Sequence, residues 1–154
     1  MTDDVFEIVP ITQENLPSAA YIHSVSWQDS HKAFCTPAFV ALHNPEHQLQ
    51  YLKEKLDSGS KGFLLRTDVP KGIVTVTDSL IEDLYVLPAY QNQGIGTKLL
   101  LHAMRVCDAA PTLWILENNI GARRLYERIG FRETGRRNQI TDKLDEIEFC
   151  FAVG

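Results

Sequence analysis

Along the chain, apolar positions switch between a period of two and a period near 3.6, and the switches divide it into elements. Val5 to Val9 alternates and predicts a first strand, ended by Pro10. Thr12 offers an N-cap oxygen and Pro17 suits a first helical turn, so a helix follows, with Ala19, Ile22, His23, Ser26 and Trp27 along one stripe. Asp29 to Asn44 is the least regular part. A second helix over roughly Pro45 to Ser58 carries Leu49, Leu52 and Leu56 on one face and stops at Gly59 to Gly62. Phe63–Arg66, Ile73–Thr77 and the run from Ile81 to Val86 read as three successive strands of an antiparallel meander. From Ile95 onward, Leu99, Leu100, Ala103, Met104, Val106 and Cys107 recur at helical spacing, predicting a helix to about Ala109. Then come a strand at Thr112–Leu116, a helix from Asn119 to Gly130 and a strand at Phe131–Arg137. After a turn at Gln139–Lys143, the last strand, Asp145 to Phe151, alternates Ile147, Phe149 and Phe151 with Glu146, Glu148 and Cys150. The order is β, two helices, three strands, then α, β, α, β, β.

Between the strand ending near Leu87 and the helix starting near Ile95, the chain turns polar and small. Pro88 cannot donate to a sheet ladder, so pairing stops there. Gln91, Asn92, Gln93, Gly94, Ile95, Gly96 and Thr97 then form a turn feeding a helix N-terminus. The first N–H groups of a helix lack partners within it, and the macrodipole places partial positive charge there. Glycines at 94 and 96 let a ligand oxygen approach the backbone without meeting a Cβ. Such a turn can hold a phosphate with main-chain amides. It also serves as a plain strand-to-helix turn, and the segment alone does not choose.

Composition narrows the classes. The 154 residues, 44% hydrophobic, suit one domain over 1–154 with a full core. A formal net charge of −5 argues against nucleic acid as a partner and favours cationic ligands such as amines. No apolar run reaches a membrane span, and Met1-Thr2-Asp3-Asp4 is not the basic start of a signal peptide. Cys35, Cys107 and Cys150 are odd in number and scattered, as expected of reduced thiols in a cytoplasm, with no nucleophile motif around them. His43 and His47 have a chelating separation, but Pro45 disfavours helical geometry at Asn44, so no metal site is expected.

The sequence Gln91-x-x-Gly94-x-Gly96, followed by Asn119-x-x-Ala122-x-x-Leu125-Tyr126-Glu127-x-x-Gly130-Phe131, resembles the GNAT N-acetyltransferase superfamily. The likeness covers about residues 80 to 131, and the element order outside it is compatible. It implies an α/β GNAT fold, a mixed and mostly antiparallel central sheet flanked by helices, with splayed strands forming an acetyl-CoA cleft. Acetyl-CoA is then the co-substrate, with no metal. The resemblance places the pyrophosphate on the amides of Gln91 through Thr97, the pantetheine arm beside Leu84 and Val86, and the Val86 N–H at the thioester carbonyl. It gives Asn119 a hydrogen bond to the cofactor arm, an asparagine that equally reads as a helix N-cap. Arg123, on the same helix, is within reach of a cofactor phosphate, although this and the neighbouring arginines also read as a solvated face. Tyr126 matches the family tyrosine near the sulfur, a proton donor to the departing thiolate, and equally suits the apolar stripe of Ala122, Leu125 and Ile129.

The resemblance implies a general base that is often a carboxylate on the strand before the glycine turn, or one on the following strand, acting directly or through water. Glu82 and Asp83 are adjacent and so point to opposite faces, leaving one to face the cleft; Glu82 is preferred. Trp114 stands where some protein N-terminal acetyltransferases carry glutamate, a departure from that branch. Trp27 and its neighbours are candidates for the acceptor wall, with a packed helix face as the plain alternative. The expected activity is acetyl transfer to a primary amine of a small molecule or peptide by direct attack on the thioester. The alternative is a non-catalytic coenzyme A-binding or sensing domain. The alternating C-terminal strand is a candidate edge for a homodimer.

Overall fold

The computed structural model describes residues 5–151. Its strands are β1 (Glu7–Pro10), β2 (Lys61–Arg66), β3 (Pro70–Thr77), β4 (Leu80–Val86), β5 (Thr112–Leu116), β6 (Phe131–Thr141) and β7 (Leu144–Phe151). Its helices are α1 (Leu16–His31), α2 (Pro37–Ala41), α3 (Pro45–Asp57), α4 (Ile95–Val106) and α5 (Ile120–Ile129). A 3₁₀ turn at Pro88–Tyr90 joins β4 to α4. The seven strands form one sheet in the order β1-β2-β3-β4-β5-β7-β6, antiparallel throughout except for the β4–β5 pair.

Both faces of the sheet are covered near its middle. Leu64 and Ile73 point to one side and pack with Ala19, Ile22 and Leu52 of α1 and α3. Their neighbours Leu65 and Val74 point to the other, against Leu99, Leu100 and Ala103 of α4. Covered on both faces, β3 is buried without interruption from Gly72 to Val76, Thr75 included. Gly72 lets α4 sit close: a Cβ there would meet Leu99 Cδ1 at 2.8 Å and the Tyr85 carbonyl at 3.1 Å.

Several expectations shift. Helix α1 starts at Leu16, not after Thr12; Thr12 and Asn15 exchange bonds, the Thr12 N–H donating to Asn15 Oδ1 at 2.7 Å. The irregular region shrinks, because α1 runs on to His31 and Thr36 caps the short α2. Helix α4 ends at Val106, not near Ala109. The largest change is at the C-terminus. β7 is not an edge: it inserts between β5 and β6, leaving β6 outermost with nearly every residue exposed. The β6–β7 hairpin folds back so that the strand with apolar residues on its inner face takes the interior place. Glu148, expected on the polar face, is buried there and accepts from Thr134 Oγ1 at 2.7 Å and Arg136 Nη1 at 3.3 Å.

Candidate functional site

The parallel β4–β5 pair is short. Only Leu80↔Thr112 and Ile81↔Leu113 are in register; beyond them the strands diverge. The divergence begins at a bulge. On β3, Thr75 faces Glu82 and Ile73 faces Tyr85, so Val74 alone stands opposite both Asp83 and Leu84. Asp83 sits in the left-handed region at φ 52°, which bends the strand. A cleft of ≈ 720 Å³ fills the gap, bounded by Ile81–Val86 on one side and Leu113–Leu116 on the other.

The bulge overturns the alternation expected for Glu82 and Asp83. Both line the cleft, and Lys55 of α3 reaches both, at 2.8 Å from Glu82 Oε1 and 2.7 Å from Asp83 Oδ2. The left-handed residue interrupts the two-residue period, so adjacent side chains share a side. Asp83 is deeply buried and accepts from Lys55, His23 Nε2 (2.9 Å), Thr75 Oγ1 (2.8 Å) and Tyr51 OH (3.2 Å). Burial would raise its carboxyl pKa, but the His23 hydrogen bond and the Lys55 charge outweigh burial and hold it well below the usual carboxylate range. A carboxylate held so far down is a poor base. Glu82 is half-exposed, with Lys55 its one ionic partner among the described residues. Its preference over Asp83 therefore rests on hydrogen bonding rather than on which face each residue occupies.

Farther along β4, the Leu87 N–H donates to the Lys71 carbonyl at 2.9 Å while Gly72 lies opposite Val86. That pattern makes Gly72–Val86 a non-hydrogen-bonded pair, with the Val86 N–H and C=O turned away from β3. Gln91 Nε2 donates to the Val86 carbonyl at 3.1 Å, on the side where β5 has withdrawn. Leu84, Val86 and Gln91 all line the cleft. The splay starts after Ile81, well before Pro88.

The glycine turn lies at the end of β4. Asn92 (φ 65°) and Gly94 (φ 82°) adopt left-handed backbones, and Gly94 is the N-cap of α4. Helices α2, α3 and α5 open on a side-chain cap from Thr36, Asn44 or Asn119; α4 opens on a glycine with none. Its first intrahelical bond is Lys98 N–H to the Gly94 carbonyl, so the N–H groups of Ile95, Gly96 and Thr97 have no acceptor within the helix. A Cβ on Gly96 would meet nothing nearer than Leu125 Cδ2 at 3.8 Å. Gly96 is thus not required by packing. Of this turn only Gln91 lines the cleft; Asn92, Gln93 and Gly94 to Thr97 follow it in the chain and are not among the lining residues.

On the far wall, Asn119 caps α5 by accepting the Ala122 N–H at Oδ1, 3.1 Å away, and its residue lines the cleft. The cap occupies the oxygen, leaving the amide nitrogen available. Tyr126 also lines the cleft, though its ring is buried edge-on to Phe131 at 5.9 Å; burial raises its hydroxyl pKa, keeping it protonated. Arg123 stands outside the cleft walls, paired with Glu133 at 2.6 Å. On the α1 side, Trp27 is not part of the wall. It is stacked between His43 (3.5 Å) and His31 (3.9 Å), behind Ser26, Asp29, Ser30, His31 and Phe34, which do line the cleft. His43 precedes α3 and its ring stacks on Trp27, so no helical i,i+4 pair with His47 forms.

The buried network was missed by sequence reading. Gln48, Tyr51 and Lys55 lie at helical spacing on α3 and face His23 and Asp83; Gln48 Nε2 and His23 Nδ1 are 2.6 Å apart. That polar i, i+3, i+7 stripe beside the Leu49–Leu52–Leu56 face was the available signal.

An open, mostly antiparallel sheet, split at a parallel pair and followed by an uncapped helix start, defines an α/β protein of GNAT fold. A sequence model described as Acetyltransferase (GNAT) domain matches residues 59–133. The peptidyl-lysine N-acetyltransferase YjaB of Salmonella typhimurium is 33% identical over 69 residues, which is 45% of this chain and 47% of that protein. The chain thus matches about half the length of that curated relative. The PaiA N-acetyltransferase of Thermoplasma acidophilum, solved in complex with coenzyme A, superposes with a TM-score of 0.73 at 18% identity, over 96% of this chain and 99% of that one. The ribosomal-protein-S18-alanine N-acetyltransferase of Escherichia coli superposes with a TM-score of 0.71 at 22% identity, over 97% and 96%. Residues 59–133 thus resemble the GNAT acetyltransferase domain, and the chain as a whole shares the fold of those structures.

Proposed function

We propose that this protein is an acetyl-CoA-dependent N-acetyltransferase that acetylates a primary amine of a small molecule or peptide by direct attack on the thioester. The observation that carries this is the β4–β5 gap, in which the Val86 N–H is turned away from β3, with Gln91 of the glycine turn and Tyr126 of α5 in the wall. The coenzyme A complex of the PaiA relative and the peptidyl-lysine activity in the YjaB name support the same reading.

In the reaction, the neutral amine attacks the thioester carbonyl, forming a C–N bond and a tetrahedral oxyanion. Val86 N–H is the donor we assign to that oxyanion. Collapse breaks the C–S bond; Tyr126 donates its proton to the departing thiolate, and Glu82, directly or through water, takes the proton the amine must lose. The amides of Gln91 to Thr97 hold the pyrophosphate and the Asn119 amide meets the pantetheine arm, while Leu84 flanks that arm. Arg123, engaged by Glu133, serves a phosphate only by exchanging that partner.

The test is calorimetric titration with acetyl-CoA, together with amine-dependent release of free thiol. Micromolar binding, and thiol release that falls roughly 10²-fold in Glu82→Gln with loss of the acidic limb of the pH–rate profile, is expected. Binding without turnover of any amine supports the sensing-domain alternative. An unshifted profile in Glu82→Gln removes that residue from the mechanism.

A further inference from the structure

The cleft opens on both faces of the sheet. On the α4/α5 face lie Gln91, Asn119 and Tyr126; on the α1/α3 face lies a second mouth of different chemistry. Four carboxylates line it, Asp29, Glu82, Asp83 and Glu146, and no lysine or arginine does so among the described residues. Cations nearby are already matched. Lys55 bridges Glu82 and Asp83, Lys32 pairs with Asp29 at 2.9 Å, and Arg136, over the Trp114 ring, pairs with Glu148. Glu146 has only the Asn138 amide, at 3.1 Å, and no cationic partner among the described residues.

An independent observation sits at the inner end of this mouth. Ser26 lines the cleft, is 3% exposed, and its Oγ has no hydrogen-bond partner among the described residues. Buried hydroxyls are normally satisfied, and a helical serine has the i−4 carbonyl available. Here that option is not taken. Ser26 stands in the cleft wall one helical turn past His23, which holds Asp83.

We propose that this mouth is the acceptor subsite and that it takes a primary alkylamine whose far end is cationic or neutral, not anionic. Ser26 Oγ accepts a hydrogen bond from the reacting amine, and Asp29 and Glu146 face the far end. A free amino acid, or any amine with a carboxylate at that end, meets the Glu146 carboxylate, which has no cationic partner among the described residues. The catalytic part of this inference rests on the acetyltransferase reading; the binding part does not.

Three amines of equal reach separate the possibilities: 1,4-diaminobutane, butylamine and 4-aminobutanoate, whose far ends carry positive, no and negative charge. Each is titrated calorimetrically into coenzyme A-loaded protein and assayed for kcat/KM with acetyl-CoA at low salt. Affinity is expected to fall in that order, with roughly tenfold or more between the extremes. Asp29→Asn combined with Glu146→Gln compresses the spread between the diamine and the amino acid. Ser26→Ala weakens all three alike, by about tenfold. Equal or reversed affinities, or no binding of any of the three, overturn the inference. Ser26→Ala without effect removes that residue from it. Charge-ordered binding without turnover leaves the subsite standing and removes the catalytic reading. Turnover without charge order does the opposite.

Discussion

Asp83 is a non-glycine residue in a left-handed backbone, in the middle of a strand, carrying a buried charge. Each of these is unfavourable alone, and they are held together because the bulge turns the carboxylate toward four donors at once. The same bulge brings Glu82 to the cleft and starts the separation from β5. One backbone angle therefore couples the candidate base to the opening that admits a ligand. Tyr126 shows the complementary case, a ring serving as core whose position in the cleft wall also suits it to proton donation. Tyr126→Phe is expected to lower kcat roughly 10²-fold with little change in KM for acetyl-CoA, since the ring's packing is kept. A matching change in thermal stability, with kcat intact, would mean that the tyrosine is core only.

Among the elements, α4 and α5 start in opposite ways, and substitution can separate their structural from their binding roles. Gly96→Ala adds a methyl with room for it, so Tm should stay within a few degrees while acetyl-CoA affinity falls tenfold or more. Unchanged affinity would show that the turn holds no phosphate. At α5, Asn119→Ala removes the cap and should destabilise by about 1 kcal/mol, whereas Asn119→Asp keeps the cap oxygen. Both variants lose the amide, so both should bind acetyl-CoA more weakly, measured beside thermal unfolding. The glycine turn and the Asn119–Tyr126 helix were legible in the sequence because their signals are local: cap chemistry, glycine spacing and a 3.6-residue stripe. The Asp83 bulge was not, because its backbone is held by Lys55 and His23, residues 28 and 60 positions away.

For the whole molecule, the Asp83 network links stability to pH. The folded-state carboxyl pKa is lowered from an unfolded value near 3.9, so its contribution is complete above about pH 4 and is lost as pH falls below it. Acid unfolding should therefore steepen below about pH 4. Asp83→Asn should be about 3–5 kcal/mol less stable at pH 7, with the gap closing at low pH. A gap independent of pH would show that the cost is packing rather than charge. The sheet order carries a second consequence. β1 and β6 are the two edges, so any strand pairing between two copies involves one of them and not the C-terminal strand.

From sequence alone, the glycine turn, the α5 cap, the likeness to the GNAT superfamily and the element order apart from the short α2 were legible, because each is written in spacings of a few residues. Strand order and the side-chain neighbourhoods were decided only by the tertiary structure. β7 entered the sheet interior because its Ile147 and Phe149 found a core to bury in. Trp27 was withdrawn behind the cleft by stacking on two histidines, and Glu82 and Asp83 were turned to the same side by a bulge. In each case the deciding contact joins segments distant in the chain, and no local period encodes it.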